Sequence, residues 1–321
     1  EGYVVPSRFR RARHAAHAQR THSARRRRMR RLHRGHTGFV LAFALAAIGI
    51  LALPLCSGCT TTDTETGETD VIGVAVTIPP VADFVENVGG EHVSVTVMIP
   101  AGASPHTHEP TPGQMSQIGN ADVYFKVGSG IEFELAWLDN LTAQNSDMEV
   151  IDCSNGIGLR DKDPHIWTSP LNCITMVDTI AEGLASVDPP RADTYRQNGQ
   201  AYATELRALH EEIAEMLSGP ESRHFLVYHP SFGYFADDYD LVQLAIEREG
   251  KATTPQTLQR TIDLALEHSL EYVFVEPQFA TAEAESIADA IGGRTVAIDP
   301  LPRTYVPAMR STAEAISLEL E

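Results

Sequence analysis

The sequence predicts an α/β protein of two lobes, each built on a parallel sheet, with one long rigid helix joining them. Three observations predict this class. Short apolar runs alternate with helical stretches over residues 71–188, one long amphipathic stretch follows, and the alternation resumes after residue 220. Strands that alternate with helices indicate a parallel sheet covered on both faces. A chain of 321 residues is also long enough for two such lobes.

The N-terminal lobe is predicted to span residues 71–188. Short apolar runs predict its strands at residues 71–76, 93–99, 123–127 and 149–151. The first run is apolar without interruption, which is typical of a strand buried on both faces. Helices are predicted at residues 82–88, before Gly89 and Gly90, and at residues 133–141.

A linking helix is predicted within residues 189–219. Its apolar residues recur close to a 3.6-residue period, at Tyr195, Tyr202, Leu206, Leu209, Ile213 and Leu217. About 28 residues would span roughly 42 Å at 1.5 Å per residue, a length suited to bridging two lobes. Gly199 near the middle is expected to weaken the helix by about 1 kcal/mol.

The C-terminal lobe is predicted to span residues 220–321, where the alternation resumes. Its strands are expected at residues 225–228, 241–246, 272–275 and 295–298. Helical segments are expected at residues 234–239, 257–267 and 282–291. Both lobes therefore present the carboxyl ends of parallel strands, the edge at which ligands bind in open α/β sheets.

The first 59 residues are predicted to be a leader with a lipoprotein signal. Residues 1–36 contain twelve Arg and one acidic residue, a net charge of +11, and residues 38–55 contain no charged residue. A basic segment followed by an apolar run is typical of an export signal. The run leads into Gly58 and Cys59, which resemble a prokaryotic lipobox, so Cys59 is the predicted lipidation site.

A polar segment separates the signal from the predicted lobes. Residues 60–70 are rich in Thr, Asp, Glu and Gly and are predicted to form a flexible tether. The alternative to a lipid anchor is an uncleaved transmembrane anchor, because about 18 apolar residues can just span a bilayer. In either case we expect the lobes to be exported and held at the outer face of the cytoplasmic membrane.

The charge of the rest of the chain argues against nucleic acid as a partner. The net charge of −18 for the whole chain leaves −29 for residues 37–321. Phosphate binding needs clustered Lys and Arg. The predicted lobes contain only three Lys, which are Lys126, Lys162 and Lys251.

Two cysteines follow the signal, Cys153 and Cys173. Outside the cytoplasm they can form a disulfide, and buried free thiols are the alternative. Their spacing matches no CxxC motif, so neither a metal nor a redox function is expected of them.

Four potential metal ligands are expected at the ends of predicted strands, and each is adjacent to a proline. His106 and His165 lie in the N-terminal lobe, and His229 and Asp299 lie in the C-terminal lobe. Proline restricts the backbone, which should pre-position each ligand and reduce the entropy lost on binding. If the crevices of the two lobes face each other, the four side chains converge in the interlobe cleft. Proline is also common where strands end, so a purely structural explanation stays open.

The ligand types select the metal. Neutral imidazole favours borderline ions such as Zn²⁺, whereas Mn²⁺ and Mg²⁺ prefer carboxylate oxygens. Three imidazoles and one carboxylate fill a tetrahedron around Zn²⁺ at roughly 2.0–2.2 Å. Cu²⁺ binds such sites more tightly still, so selectivity in the cell need not follow affinity. We expect Zn²⁺ as a transported ligand rather than a catalytic cofactor.

Six segments, in order along the chain, resemble one family. They are SPHTHEPTPGQ (104–114), GNADVYFKVGSGIE (119–132), DPHIWTSP (163–170), YHPSFGYFADDYDL (228–241), VEPQF (275–279) and DPL (299–301). Together they are similar to the zinc/manganese-type solute-binding lipoproteins of ABC importers. The resemblance implies two α/β lobes joined by one backbone helix, with metal held between them. The family's ligands fall on His106, His165, His229 and Asp299.

The resemblance also bears on the metal and on partners. Manganese-selective members carry a glutamate at the position of His229, so the histidine here indicates zinc. Many zinc members have a long His-rich loop between the first two ligand motifs, and this chain has none. The implied partners are an ABC permease with its ATPase, and the membrane through a lipid anchor. We expect the protein to be a monomer.

Three further residues are expected near the ligands. Glu276 follows another C-terminal strand and is predicted to hydrogen-bond a ligand imidazole, with a purely structural acid as the alternative. Trp167 follows His165 by two residues and is predicted to pack under the site and exclude water. His108 is either a secondary ligand or a stacked surface histidine.

These observations predict a binding protein rather than an enzyme, an extracytoplasmic Zn²⁺ receptor of high affinity that serves an ABC-type importer. A Mn²⁺ receptor and a metal-binding adhesin of the same fold are the alternatives. A zinc hydrolase is a remote alternative, since three imidazoles can activate water at an open fourth position. Asp299 would occupy that position, and the sequence contains no HExxH motif.

Overall fold

The structure, a computed structural model, describes residues 71–219, 222–247, 254–279 and 282–320. The predicted leader, the lipidation site at Cys59 and the tether lie outside these residues. Within the described part of the chain, no helix combines the length and the apolar character needed to cross a membrane.

The N-terminal lobe contains one sheet of four parallel strands. They are β1 (Ile72–Val76), β2 (Val93–Val97), β3 (Val123–Lys126) and β4 (Glu149–Asp152). Their order is β2-β1-β3-β4, and Val74 of β1 pairs with Val95 on one side and Val123 on the other. The uninterrupted apolar sequence of β1 fits this central position, because a central strand of a covered parallel sheet is buried on both faces.

Four helices accompany this sheet. They are α1 (Pro79–Gly89), α2 (Pro112–Ile118), α3 (Glu132–Gln144) and α4 (Pro170–Val187). Three of them begin with Pro, whose fixed φ suits the first helical turn. Helices α2 and α4 lie outside the elements predicted from the sequence. Ser169 caps α4 by accepting a hydrogen bond from the Asn172 N–H at 3.0 Å.

One long helix, α5 (Ala192–Met216), links the two lobes. Its 25 residues span about 37 Å, and the predicted apolar stripe is its buried face. Gly199 has a packing function here in addition to its low helix propensity. A Cβ added to it would lie 2.9 Å from the Cβ of Ala181 in α4. The glycine therefore lets α4 and α5 approach closely.

The C-terminal lobe repeats the topology of the first. Its strands are β5 (His224–Val227), β6 (Val242–Ala245), β7 (Tyr272–Val275) and β8 (Arg294–Ala297). They form a parallel sheet in the order β6-β5-β7-β8. Its helices are α6 (Gly233–Asp238), α7 (Pro255–Glu267), α8 (Ala282–Ile291) and α9 (Tyr305–Leu320), the last of which lies outside the predicted elements. The predicted α/β class with two parallel-sheet lobes is confirmed.

One hydrophobic cluster extends through both lobes, and a smaller one lies within the C-terminal lobe. In the larger cluster the rings of Phe84 in α1 and Tyr305 in α9 meet edge to face, with their centroids 5.1 Å apart. The Tyr305 N–H donates to the carboxylate of Asp83 at 3.3 Å, and its hydroxyl donates to the Trp167 carbonyl at 2.8 Å. A large apolar interface of this kind opposes wide relative motion of the lobes.

The two cysteines that follow the signal are free thiols, and both are fully buried. The structure therefore selects the second of the two alternatives considered for Cys153 and Cys173. Burial raises the pKa of both thiols, which keeps them protonated and unreactive. The Cys173 thiol donates to the Trp167 carbonyl at 3.1 Å.

Candidate metal centre

Three imidazoles from the two lobes converge on one point. The Nε2 of His229 lies 3.1 Å from the Nε2 of His106 and 3.3 Å from the Nε2 of His165. Each ring offers one nitrogen, and these atoms all lie within 4.8 Å of one another. Nitrogens bound to one tetrahedral Zn²⁺ at ~2.0–2.1 Å are about 3.3–3.4 Å apart. The triangle therefore has the dimensions of a metal site.

The topology of the sheets explains why these three residues meet. His106 lies on the loop after β2, His165 lies on the loop after β4, and His229 follows β5 by two residues. Because all strands of a parallel sheet run the same way, their carboxyl ends share one edge. Each lobe turns that edge toward the other lobe, which brings the loops together.

The site is shielded on one side and open on the other. His165 and His229 are 6% and 5% exposed, whereas His106 is half-buried. A cleft of about 610 Å³ lies against the three imidazoles, and Glu132 and Lys162 also line it. This cleft gives an ion a path to the three nitrogens from one side.

A carboxylate holds the other ring nitrogen of each imidazole. The pairs are His106 with Glu132 (Nδ1 to Oε2, 2.8 Å), His165 with Asp163 (Nδ1 to Oδ1, 2.9 Å) and His229 with Glu247 (Nδ1 to Oε2). A neutral ring that donates from Nδ1 leaves Nε2 as a lone pair. Metal-binding histidines in proteins are oriented by partners of this kind. The three carboxylates thus direct three lone pairs toward one another.

The surroundings of His165 favour its neutral imidazole. Burial lowers the pKa of His165, and the nearby His229 and His106 rings oppose its protonation further, although Asp163 acts in the opposite direction. A neutral ring binds a metal ion without first losing a proton. Three lone pairs held this close repel each other unless a cation lies between them, so the geometry is suited to a bound cation.

Two aromatic side chains form the inner wall. Trp167 is 1% exposed, and its ring centroid lies 5.2 Å from that of His165. Its indole N–H donates to the Pro300 carbonyl at 2.7 Å, which ties the N-terminal lobe to the C-terminal lobe. Phe279 stacks on His229 with centroids 4.8 Å apart. These rings fix the imidazoles and leave little room for water behind them.

The structure does not bring Asp299 to the three imidazoles. The group of atoms within 4.8 Å of one another does not include its carboxylate. Its Oδ1 instead accepts hydrogen bonds from the Gln278 amide and the Leu301 N–H, both at 2.9 Å. The strand β8 that precedes Asp299 lies two positions from β5, with β7 between them. Side chains can bridge the resulting ~9.6 Å, so the hydrogen bonds to Gln278 and Leu301, rather than the strand spacing, keep the carboxylate from the imidazoles.

Glu276 lies beside the site but contacts different atoms from those expected. Its carboxylate accepts from the main-chain N–H of His229 at 3.3 Å and from the Ser231 hydroxyl at 3.1 Å. The imidazole of His229 is held by Glu247 instead. The prediction of an imidazole hydrogen bond was therefore wrong, because β6 rather than β7 supplies the acid that reaches Nδ1. Burial raises the pKa of Glu276 to about 8.

His108 is not part of the triangle. Its ring contacts that of Phe133 at an angle of 31°, with centroids 6.0 Å apart. The ring nitrogens that lie within 4.8 Å of one another belong to His106, His165 and His229.

Reasoning from the sequence missed the three orienting carboxylates. Asp163 precedes His165 by two residues in the same motif, so its proximity was a usable signal. Glu132 ends the segment GSGIE, twenty-six residues from His106, and only the fold brings the two together. Glu247 follows β6 and carries no sequence signal of its own.

Comparison with known proteins places the chain among metal-binding proteins. The family model for zinc-uptake complex component A, periplasmic, matches residues 74–318. The manganese-binding lipoprotein MntA of Halalkalibacterium halodurans is 30% identical over 246 residues, which is 73% of this chain and 80% of MntA. The zinc-binding lipoprotein AdcA of Streptococcus pneumoniae is 26% identical over 284 residues, or 81% of this chain and 55% of AdcA.

Solved structures share the fold. A crystal structure of ZnuA has 39% identity and a TM-score of 0.77, covering 78% of this chain and all of ZnuA. The laminin-binding protein Lmb of Streptococcus agalactiae, a bifunctional protein with adhesin and metal transporting activity, has 25% identity and a TM-score of 0.72 over the same shares. The chain therefore belongs to the zinc-uptake complex component A family, the metal-binding components of ABC metal importers.

Proposed function

We propose that this protein is an extracytoplasmic receptor that binds Zn²⁺ with high affinity and delivers it to an ABC-type importer. The observation that carries the proposal is the triangle of three Nε2 atoms, each on a ring whose Nδ1 faces a carboxylate. Neutral imidazole favours Zn²⁺ over Mn²⁺. The ion is cargo that is bound and released unchanged, so the protein is not an enzyme.

Asp299 remains our proposed fourth ligand. It follows β8 at the sheet edge from which His229 also projects. To reach the ion it must exchange its hydrogen bonds with Gln278 and Leu301 for a bond to the metal. A carboxylate oxygen would complete the tetrahedron that structural Zn²⁺ sites prefer.

The proposed partners are an ABC permease with its ATPase and the membrane surface. Cys59 is the proposed point of lipid attachment, and residues 60–70 are the proposed tether. The curated relatives MntA and AdcA are lipoproteins, which supports an anchored extracytoplasmic location. Release of the ion would follow when the transporter binds preferentially to a state in which the lobes are farther apart.

Metal analysis tests the proposed cargo. Protein purified without added metal should contain Zn²⁺ at about one ion per chain, and chelator-stripped protein should prefer Zn²⁺ over Mn²⁺ in a competitive titration. The test matters because relatives are named for different metals, with MntA for manganese, AdcA for zinc and YfeA of Yersinia pestis for iron. A preference for Mn²⁺ would overturn the proposal of a zinc receptor.

The identity of the third imidazole should set the metal preference. In His229→Glu an oxygen ligand replaces a nitrogen, so the ratio of Zn²⁺ to Mn²⁺ affinity should fall. Competitive titration of both ions against the variant measures this ratio. The control is His268→Glu, which changes a histidine stacked on His224 away from the cleft. An unchanged ratio in His229→Glu would contradict this account of selectivity.

Adhesion is the second candidate function. The similarity to Lmb, which is named for laminin binding, supports testing it. Specific binding of the protein to immobilised laminin, retained in His229→Ala, would establish an adhesive activity that does not depend on the metal centre. Absence of binding at micromolar protein would leave metal delivery as the function.

A further inference from the structure

A single hydroxyl group of the C-terminal lobe holds both ends of a tight turn in the N-terminal lobe. The main-chain N–H of Arg160 donates to the Tyr234 hydroxyl at 2.7 Å, and that hydroxyl donates to the Asp163 carbonyl at 3.3 Å. Arg160 and Asp163 also pair with each other as an isolated antiparallel bridge. The turn 160–163 is therefore closed on one side by its own backbone and on the other by Tyr234.

This turn carries the carboxylate that orients one of the three imidazoles. Asp163 Oδ1 lies 2.9 Å from His165 Nδ1 and also accepts from the His165 main-chain N–H at 3.1 Å. The side chain of Asp163 therefore positions both the ring and the backbone of His165. A shift of the turn would move Asp163 and would turn the Nε2 of His165 away from the other two nitrogens.

The lobes approach closely at this contact. A Cβ added to Gly233, the residue before Tyr234, would lie 2.2 Å from Asp163 Oδ2. The Arg160 guanidinium donates to the Gly233 carbonyl at 2.8 Å, pairs with the Asp237 carboxylate and lies over the Tyr234 ring at 5.7 Å. Helix α6 begins four residues after His229 and packs directly against the turn that orients His165.

We propose that Tyr234 is a positioning residue for metal binding, because its hydroxyl fixes the turn 160–163 and hence the Asp163–His165 pair from across the cleft. This inference rests on the proposed metal-binding function. It adds that the metal affinity of the site depends on the contact between Tyr234 and the turn 160–163. When the lobes separate, His165 loses the support of Tyr234, and this loss couples opening to release of the ion.

The test is Tyr234→Phe, which removes the hydroxyl and keeps the ring. Loss of a residue that orients a ligand weakens metal binding by about 10- to 100-fold, and we expect the lower end of that range. The matched control is Tyr272→Phe, because Tyr272 also pairs with an arginine, accepting from Arg294 at 2.8 Å under a cation–π contact, but lies away from the cleft. The control should bind Zn²⁺ as the unmodified protein does.

A double-mutant cycle separates positioning from general destabilisation. If Tyr234 acts through Asp163, Tyr234→Phe should have little further effect in an Asp163→Asn background. It should keep its full effect in a Glu247→Gln background, since Glu247 orients a different imidazole. Additive losses with Asp163→Asn would overturn the proposal.

The measurements distinguish failure of the proposed metal-binding function from failure of the proposed positioning function. Unmodified protein that fails to bind Zn²⁺ would refute the proposed function itself, whereas Zn²⁺ binding that is equal in Tyr234→Phe and the unmodified protein would refute only the positioning function. The absorption spectrum of the Co²⁺-loaded protein should change in Tyr234→Phe and stay unchanged in Tyr272→Phe. Thermal melting of the metal-free variants shows whether both are folded.

Discussion

Replacing His229 with alanine should lower the affinity for Zn²⁺ by at least about 100-fold. Loss of a residue that only orients a ligand already weakens metal binding by about 10- to 100-fold, so loss of a ligand should reach or exceed the upper end. His229 has the largest expected effect because its Nε2 is the atom close to both of the others, at 3.1 and 3.3 Å. Competition against a chelator of known affinity measures the change.

The control for this variant is His268→Ala. His268 belongs to the C-terminal lobe too, but it stacks on His224 with centroids 3.6 Å apart and takes no part in the triangle. Its removal should leave Zn²⁺ affinity unchanged. Equal affinities in His229→Ala and His268→Ala would remove His229 from the site, and with it the one imidazole of the three that comes from the C-terminal lobe.

Replacing Trp167 with alanine should lower the free energy of unfolding by about 3–5 kcal/mol, the range found when a large buried aromatic is truncated. Trp167 is 1% exposed, and its indole donates to the Pro300 carbonyl across the cleft. The variant loses the packing of the ring and leaves a buried carbonyl without its donor. Urea unfolding followed by circular dichroism measures the loss.

Trp137 supplies the control for this experiment. It is the other tryptophan of the chain, and it is half-buried on α3. Trp137→Ala should destabilise the protein clearly less than Trp167→Ala, because the half-buried Trp137 contributes less buried apolar surface to the fold. Similar losses from both substitutions would contradict the view that Trp167 joins the lobes behind the metal centre.

Much of the fold follows from patterns that are local in the sequence. Strands such as β1 are short apolar runs, and α5 carries an apolar stripe of helical period, so both are visible without a structure. Helices α2, α4 and α9 were missed. Helix α4 follows a loop rich in polar residues and proline, and its buried face becomes evident only when α5 packs on it.

The three histidines could be predicted because each lies on a segment that follows a strand and is beside a proline. The distance of Asp299 from these imidazoles could not be predicted from the sequence. It also follows a strand, but the order β6-β5-β7-β8 places that strand two positions from β5. Sequence order gives no measure of this separation, since neighbours in a parallel sheet need not be consecutive in the chain.

The sequence also could not show that Glu247, rather than Glu276, contacts the imidazole of His229. Glu247 and Glu276 both follow strands that adjoin β5, one on each side. From the sequence alone, either glutamate could contact the imidazole of His229. The orientation of the ring determines which of them lies next to Nδ1. Glu247 contacts Nδ1, whereas Glu276 contacts the backbone. Such a choice depends on side-chain packing, including the stacking of Phe279 on the ring.

Anomalous diffraction at the zinc absorption edge, from crystals of the zinc-loaded protein, tests the central claim most directly. We predict one strong peak in the cleft, at ~2.0–2.1 Å from the Nε2 atoms of His106, His165 and His229. The same map shows whether an oxygen of Asp299 completes the coordination. A principal peak elsewhere on the protein, or an imidazole of the three turned away from the ion, would contradict the account.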